Sequence, residues 1–229
     1  MNARAPEHAA YLAGILPFKT LTPDTLTAVA RGVEELRYER DQVLFSEGDV
    51  SDAVYVARSG RVRLQHFRPD GSVRTVCMIG PGETFCCLPA MDAGTNPATA
   101  VAAEPSVVYR IPGGAYRELL ETRPAFSREA LRHFCGRLRE AGCEGCSQAE
   151  DAGARLAGKI LTMVDKFGDV VPLTRKELGE LAGTTVETAI RITRDFEERG
   201  WLALGRGHLR VLDRAALQLR TLGPAAPTE

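Results

Sequence analysis

The sequence predicts an α+β protein: an N-terminal antiparallel β-roll, then a long helix, then a helix pair closed by a β-hairpin. Three observations predict it. From about residue 37, short runs rich in Val, Tyr and Phe alternate with turn signals. The stretch "AFSREALRHFCGRLREA" spaces Phe126, Ala130, Phe134 and Leu138 at helical intervals. The segment "LTRKELGELAGTTVETAIRITRDFEERG" reads as two helices meeting at Gly183.

The chain has 229 residues, 44% of them hydrophobic and 26% charged, a composition ordinary for a globular protein. No apolar run approaches the roughly 18–20 residues of a membrane span. The opening "MNARAPEHAAYLAG" has no apolar secretory core. The expectation is a cytoplasmic protein without membrane association.

The elements follow in order. Residues 8–36 read as short helices, broken at Pro17 and restarted at Thr22-Pro23. "QVLFSEGD", "AVYVARSGRVRLQHF" and "VRTVCMIGPGETF" read as strands punctuated by Gly48, Gly60, Pro69-Asp70-Gly71 and Pro81-Gly82. "TAVAAEPSVVYRIP" adds more, and the close spacing suggests a compact barrel or roll. The helical signal then runs from about Gly114 to Asp165. Within it "AGCEGCSQAEDAGA" is poor in helix formers and reads as a weakened segment or a break. "GARLAGKILTMVDKFG" is a helix ended by Gly168. Thr174 with Glu177 three residues on predicts a capping box at the start of the next helix. "WLALGRGHLRVLD" reads as two strands about Gly205-Arg206-Gly207, so the last third is expected to hold three helices and a hairpin.

The final helix of the pair carries distinctive chemistry. Glu187, Ile190, Arg191 and Arg194 share one face, while Ala189, Ile192 and Phe196 lie opposite and can anchor it. Arginine bonds guanine bidentately and a carboxylate accepts from cytosine N4, so this face can read base edges. Taken singly, Glu187 could instead complete a capping box with Thr184, and Arg191 could be a solvated surface charge. The helix pair, the tight turn and the following hairpin together favour base reading. Charge agrees weakly: residues 1–154 carry a net −3 and residues 155–220 a net +3.

In their order, "VLFSEGD", "AVYVARSGRVRL", "PDG", "GPGETF" and above all "LTRKELGELAGTTVETAIRITRDFEERGWL" resemble the CRP/FNR family of transcription regulators over residues 10–220. The resemblance implies a β-roll like a cyclic-nucleotide-binding domain, a long dimerisation helix and a winged helix-turn-helix. It implies a homodimer on a palindromic site in double-stranded DNA, acting with RNA polymerase. It divides the chain into a sensor domain with N-terminal helices (1–122), a dimerisation helix (123–152), a DNA-binding domain (153–222) and a flexible tail (223–229). The family's E-x-x-x-R pattern falls on Glu187 and Arg191, implying a TGA-like half-site core. "TVETAIR" is closer to the oxygen-responsive branch, placing Val186 and Ile190 at the same surface, with Ile190 where that branch has Ser. Thr174 and Arg175 match positions that touch phosphate.

The segment "TFCCLPAMDAGTNPATA" aligns with the family's phosphate-binding cassette, yet Cys86, Cys87, Leu88, Pro97 and Ala98 replace its Glu, Arg and Ser. A buried phosphate without its cation is penalised, so cyclic AMP is disfavoured and no cyclic-nucleotide residues are assigned. Residues 1–35 hold no cysteine, so the oxygen-responsive branch's N-terminal iron–sulfur arrangement is absent. "TFCCL" also resembles the haem-binding run of the carbon-monoxide-sensing branch, with Leu88 where that branch has His; His66 and His133 remain as other axial ligands.

The six cysteines are Cys77, Cys86, Cys87, Cys135, Cys143 and Cys146. Cys77 reads as a small buried hydrophobe. "GCEGC" is a C-x-x-C that can chelate a metal. Cys135 and Cys146 lie on one helix face but roughly 16 Å apart. The resemblance places Cys86 and Cys87 at the family's ligand pocket and Cys143 and Cys146 on or beside the long helix near it, which implies Cys87 or Cys86 with Cys143 and Cys146 as the better set. It suits an iron–sulfur cluster, a thiolate-bound metal or metalloid, or a thiol redox switch. The main expectation is therefore a non-enzymatic, DNA-binding regulator with a cysteine-based signal. The alternatives are the same regulator with a haem pocket for a diatomic gas, and a thiol oxidoreductase using Cys143 and Cys146.

Overall fold

The computed structural model describes residues 4–92, 94–146 and 151–222, with residues 137–146 described by backbone alone. The expected tail at 223–229 lies outside the described residues. The chain divides into two compact units between residues 142 and 143, with residues 68–75 grouped with the second.

The first unit opens with helix α1 (Ala5–Leu12), a single 3-10 turn (Phe18–Thr20) and α2 (Pro23–Arg31), which Thr22 caps by accepting from the Thr25 amide. Eight strands follow: β1 (Glu34–Tyr38), β2 (Val43–Phe45), β3 (Ala53–Ser59), β4 (Val62–Phe67), β5 (Val73–Ile79), β6 (Thr84–Phe85), β7 (Thr99–Ala102) and β8 (Ser106–Pro112). They form two four-stranded sheets ordered β1-β8-β3-β6 and β2-β7-β4-β5. Residues 34–36, expected to be helical, are the start of β1, where antiparallel pairing with β8 outweighs helix propensity. A short helix, α3 (Cys87–Asp92), lies between β6 and β7; α4 (Gly113–Thr122) and α5 (Pro124–Cys146) follow β8. α5 continues through Cys143 and Cys146 despite its glycines.

The β-roll unit has two apolar cores, and β3 feeds both. Val54 and Val56 enter a core shared with the helices, including Leu12, Phe18, Tyr116 and Phe126. Ala53, Tyr55 and Ala57 point the other way, into a core with Ile79, Phe85 and Val108. Side chains of a strand alternate faces, so a strand buried on both faces reads as the unbroken run "AVYVA". In the helical core the Phe18, Tyr116 and Phe126 rings meet edge to face at 5.3–6.3 Å. Each such pair contributes about 0.5–1.5 kcal/mol beyond its area burial.

The second unit contains α6 (Ala152–Phe167), β9 (Val170–Val171), α7 (Arg175–Ala182), α8 (Val186–Glu198), β10 (Leu202–Gly205), β11 (His208–Val211) and α9 (Arg214–Thr221). Asp151 caps α6 by accepting from the amides of Gly153 at 2.6 Å and Ala154 at 3.1 Å. Gly168, with φ 80°, ends that helix. The expected last third of three helices and a hairpin is incomplete. β9 pairs with β11 to make a three-stranded sheet ordered β10-β11-β9, and α9 packs on α6. Two-residue strands carry too little periodicity to be read from sequence.

Candidate nucleic-acid interface and sensor loop

The helix pair is built from local signals. Thr174 and Glu177 form the expected capping box at α7: the Glu177 amide donates to Thr174 Oγ1, and Glu177 Oε2 accepts from the Thr174 amide at 2.8 Å. Gly183 ends α7 in the left-handed region at φ 61°, where glycine carries no Cβ penalty. A Cβ at Gly179 would lie 3.3 Å from the Thr184 carbonyl and 3.5 Å from Ala189 Cβ, so glycine lets α7 and α8 close tightly.

Thr185, not Thr184, caps α8, accepting from the Thr188 amide at 3.2 Å. The capping box considered for Glu187 with Thr184 does not form, because the helix starts one residue later. Ala189, Ile192, Thr193 and Phe196 are buried and fix the helix; Phe196 packs on Trp201 with ring centroids 5.2 Å apart. The opposite face bears Val186, Glu187, Arg191 and Arg194, all exposed, with Ile190 half-buried. Among the described residues Glu187, Arg191 and Arg194 hold no ion pair, so their charges face solvent uncompensated. A groove of about 860 Å³ runs along this face to the start of α6.

Arg175 Nη1 donates to the Gly205 carbonyl at 2.6 Å, tying the start of α7 to the β10–β11 turn. Thr174 directs both its amide and its hydroxyl, each at 2.8 Å, to Glu177 Oε2. Arg206, at the tip of that turn, is exposed and was not singled out in the sequence; its signal was a cation flanked by two glycines.

The junction of β6 and α3 separates two neighbouring thiols. Cys86 adopts φ 55°, a left-handed conformation rare for residues with a Cβ. It is half-buried against the core between the sheets. Cys87 starts α3, is 5% exposed, and enters the helical core instead, hydrogen-bonded to Tyr116. Burial, together with Cys87, pushes the Tyr116 phenol far above its ordinary value. Arg117 bonds the Ala90 carbonyl at 2.7 Å and Asp52 at 2.8 Å, tying α4 to α3. Leu88 is exposed, Pro97 is exposed and Ala98 is buried. Cys135 is half-buried on α5. The side chains of Cys143 and Cys146 lie outside the described residues, so the thiol set built on them is not described here. His66 Nδ1 sits 2.9 Å from Glu47 Oε2, and His133 lies edge-on to Phe134. Among the described residues no group of three His, Cys, Asp or Glu is placed to hold a metal ion.

A β-roll and a winged helix-turn-helix whose second helix exposes Glu187, Arg191 and Arg194 are the architecture of a DNA-binding transcription regulator. Residues 35–123 match the cyclic nucleotide-binding domain and residues 154–220 the Crp-like helix-turn-helix domain. Over 210 residues the chain is 30% identical to the cyclic AMP receptor protein of Thermus thermophilus, covering 91% of this chain and 97% of that protein. It is 26% identical to the CRP-like cAMP-activated global transcriptional regulator of Mycobacterium tuberculosis, over 89% of this chain and 95% of that one. The structure of FixK2 from Bradyrhizobium japonicum shares the fold, with a TM-score of 0.76 at 22% identity, covering 85% of this chain and 98% of that one. The chain belongs to the CRP/FNR family of transcription regulators. Regulators of this family bind DNA and form dimers, and the oxidoreductase alternative is set aside by this membership. Among the described residues no helix is long and apolar enough to cross a membrane.

Proposed function

We propose that the protein is a cytoplasmic, homodimeric regulator that reads a palindromic DNA site with a TGA-like core in each half and acts with RNA polymerase. Glu187 and Arg191 read base edges, with Val186, Ile190 and Arg194 lining the same surface. The observation that carries this reading is the solvent-facing, unpaired row of Glu187, Arg191 and Arg194 on a helix anchored by its other face. Arg175 and the exposed Arg206 meet phosphates. Thr174 sets the α7 terminus between them, and its hydroxyl reaches a phosphate only by exchanging its bond to Glu177.

The signal enters through thiols rather than a cyclic nucleotide. Residues 84–100 contain no Lys or Arg. Of the nearby arginines, Arg61 pairs with Glu104 at 2.8 Å, Arg63 with Asp41 at 2.5 Å, and Arg110 with Glu34 at 3.2 Å. These residues do not suit a cyclic phosphate, whose burial demands a dedicated cation. Cys86, Cys87, Cys135, Cys143 and Cys146 remain the candidate thiols for a metal, metalloid, cluster or redox signal.

Arg191→Ala tests the interface. Losing a bidentate base contact costs about 1–3 kcal/mol of discrimination. Binding to a palindromic TGA-containing duplex should weaken correspondingly while the variant still sediments as a dimer. Retained preference over a scrambled duplex would remove Arg191 from the reading face. An absorption spectrum with metal and sulfide analysis, on protein purified without oxygen, tests the sensor: iron and sulfide indicate a cluster, and a Soret band would replace it with haem.

A further inference from the structure

α8 presents a surface of two chemistries. Glu187, Arg191 and Arg194 make a charged row; Val186 and Ile190, one turn apart, make an apolar edge beside it. Val186 is 36% exposed. Ile190 is half-buried and lines the groove of about 860 Å³ together with the three charged side chains.

Two features fix where Ile190 points. Thr193 is fully buried and donates its hydroxyl to the carbonyls of Ala189 at 2.8 Å and Ile190 at 3.2 Å, which holds the backbone at this turn. A β-branched side chain on a helix also keeps essentially one χ1 rotamer. The methyl groups of Ile190 are therefore held in place before DNA arrives. The side chain has no donor or acceptor, so it cannot read the polar groups of a base edge. The apolar group that B-DNA displays in its major groove is the 5-methyl of thymine.

We propose that Ile190 is a specificity-determining residue that packs on the 5-methyl group of a thymine beside the bases read by Glu187 and Arg191. The inference rests on the reading of α8 as the base-reading helix, and it names the group that Ile190 recognises. Val186, one turn earlier, extends the same apolar edge. Ile190 carries no charge, so its contribution is base-specific and separate from counterion release. Deoxyuridine isolates the contact, because it lacks only the 5-methyl group and keeps the pairing edge and the O4 acceptor of thymine.

The test uses the full chain and a palindromic duplex with a TGA core in each half-site and A·T pairs on either side of it. Each thymine of the half-site is replaced in turn by deoxyuridine, symmetrically in both halves. One replacement should weaken wild-type binding by about fourfold per half-site, or roughly fifteenfold for the dimer, the worth of one buried methyl group in each half. Ile190→Ala should bind that duplex and its thymine parent alike. Ile190→Val keeps a β-branched apolar side chain and should retain most of the discrimination. Neither variant should change the slope of log affinity against log salt. A scan in which no thymine stands out overturns the proposal. So does a thymine whose replacement costs Ile190→Ala as much as it costs wild type, since a purely structural isoleucine would lower both affinities and leave their ratio unchanged. A scrambled duplex and Arg191→Ala separate the two ideas. If wild type prefers the TGA duplex, loses that preference on Arg191→Ala, and gives a flat deoxyuridine scan, only the Ile190 contact is wrong. If wild type binds the TGA and scrambled duplexes equally, the base-reading assignment fails and the Ile190 contact falls with it.

Discussion

Cys86 and Cys87 are consecutive residues with opposite surroundings. One faces the aromatic space between the sheets in a strained backbone conformation; the other is sealed among Tyr116 and Phe126. The strain is measurable by comparing two substitutions that both remove the sulfur. Cys86→Gly relieves the left-handed conformation and Cys86→Ala keeps it, so the glycine variant should be the more stable by about 1 kcal/mol in denaturant unfolding. Equal stabilities would mean that the residue does not hold this conformation in solution. The sequence displayed both cysteines but not their parting. That depends on a single φ value, to which hydrophobic periodicity is blind. Cys77, expected as a buried hydrophobe, is half-buried against the core that Cys86 also borders.

At the scale of the elements, helix termini were the most legible features, because caps are local. The capping box at Thr174 and the left-handed Gly183 were both evident from residue spacing. Gly183→Ala should cost about 1 kcal/mol, the usual penalty for a Cβ at a left-handed helix end. Calorimetry of the variant checks this, and an unchanged Tm would contradict the cap. Asp151 makes a pH prediction. The Arg220 hydrogen bond, helped by the Ala154 and Gly153 amides, holds its carboxyl below the usual carboxylate range. A group lowered in the folded state contributes stability that is complete above its unfolded value, about 3.9, and lost as pH falls through the folded one. Asp151→Asn keeps a competent cap but removes the charge, so its deficit against wild type should be at most about 1 kcal/mol at pH 7. That deficit should shrink on acidification below about pH 4. A deficit independent of pH would mean the carboxylate contributes nothing as a charge. The elements that escaped sequence reading, β9, α3 and α9, are short or lie in stretches whose pattern is set by what they pack against.

For the whole molecule, the charge is divided: a net −3 over residues 1–154 and +3 over residues 155–220. Specific binding should therefore weaken steeply with salt, because phosphate contacts release counterions. Arg206→Ala should flatten the slope of log affinity against log salt by about one unit, if Arg206 meets one phosphate. A slope unchanged from wild type would remove the turn from the interface.

The two-core construction of the roll has a mechanical consequence. One peptide bond joins a residue in the aromatic space to a residue wedged against Tyr116, whose ring lies 5.3 Å from Phe126 at the root of α5. That bond acts as a short crank. A backbone change at Cys86 is handed directly to the first residue of α3, which packs against the same rings that seat the base of the long helix.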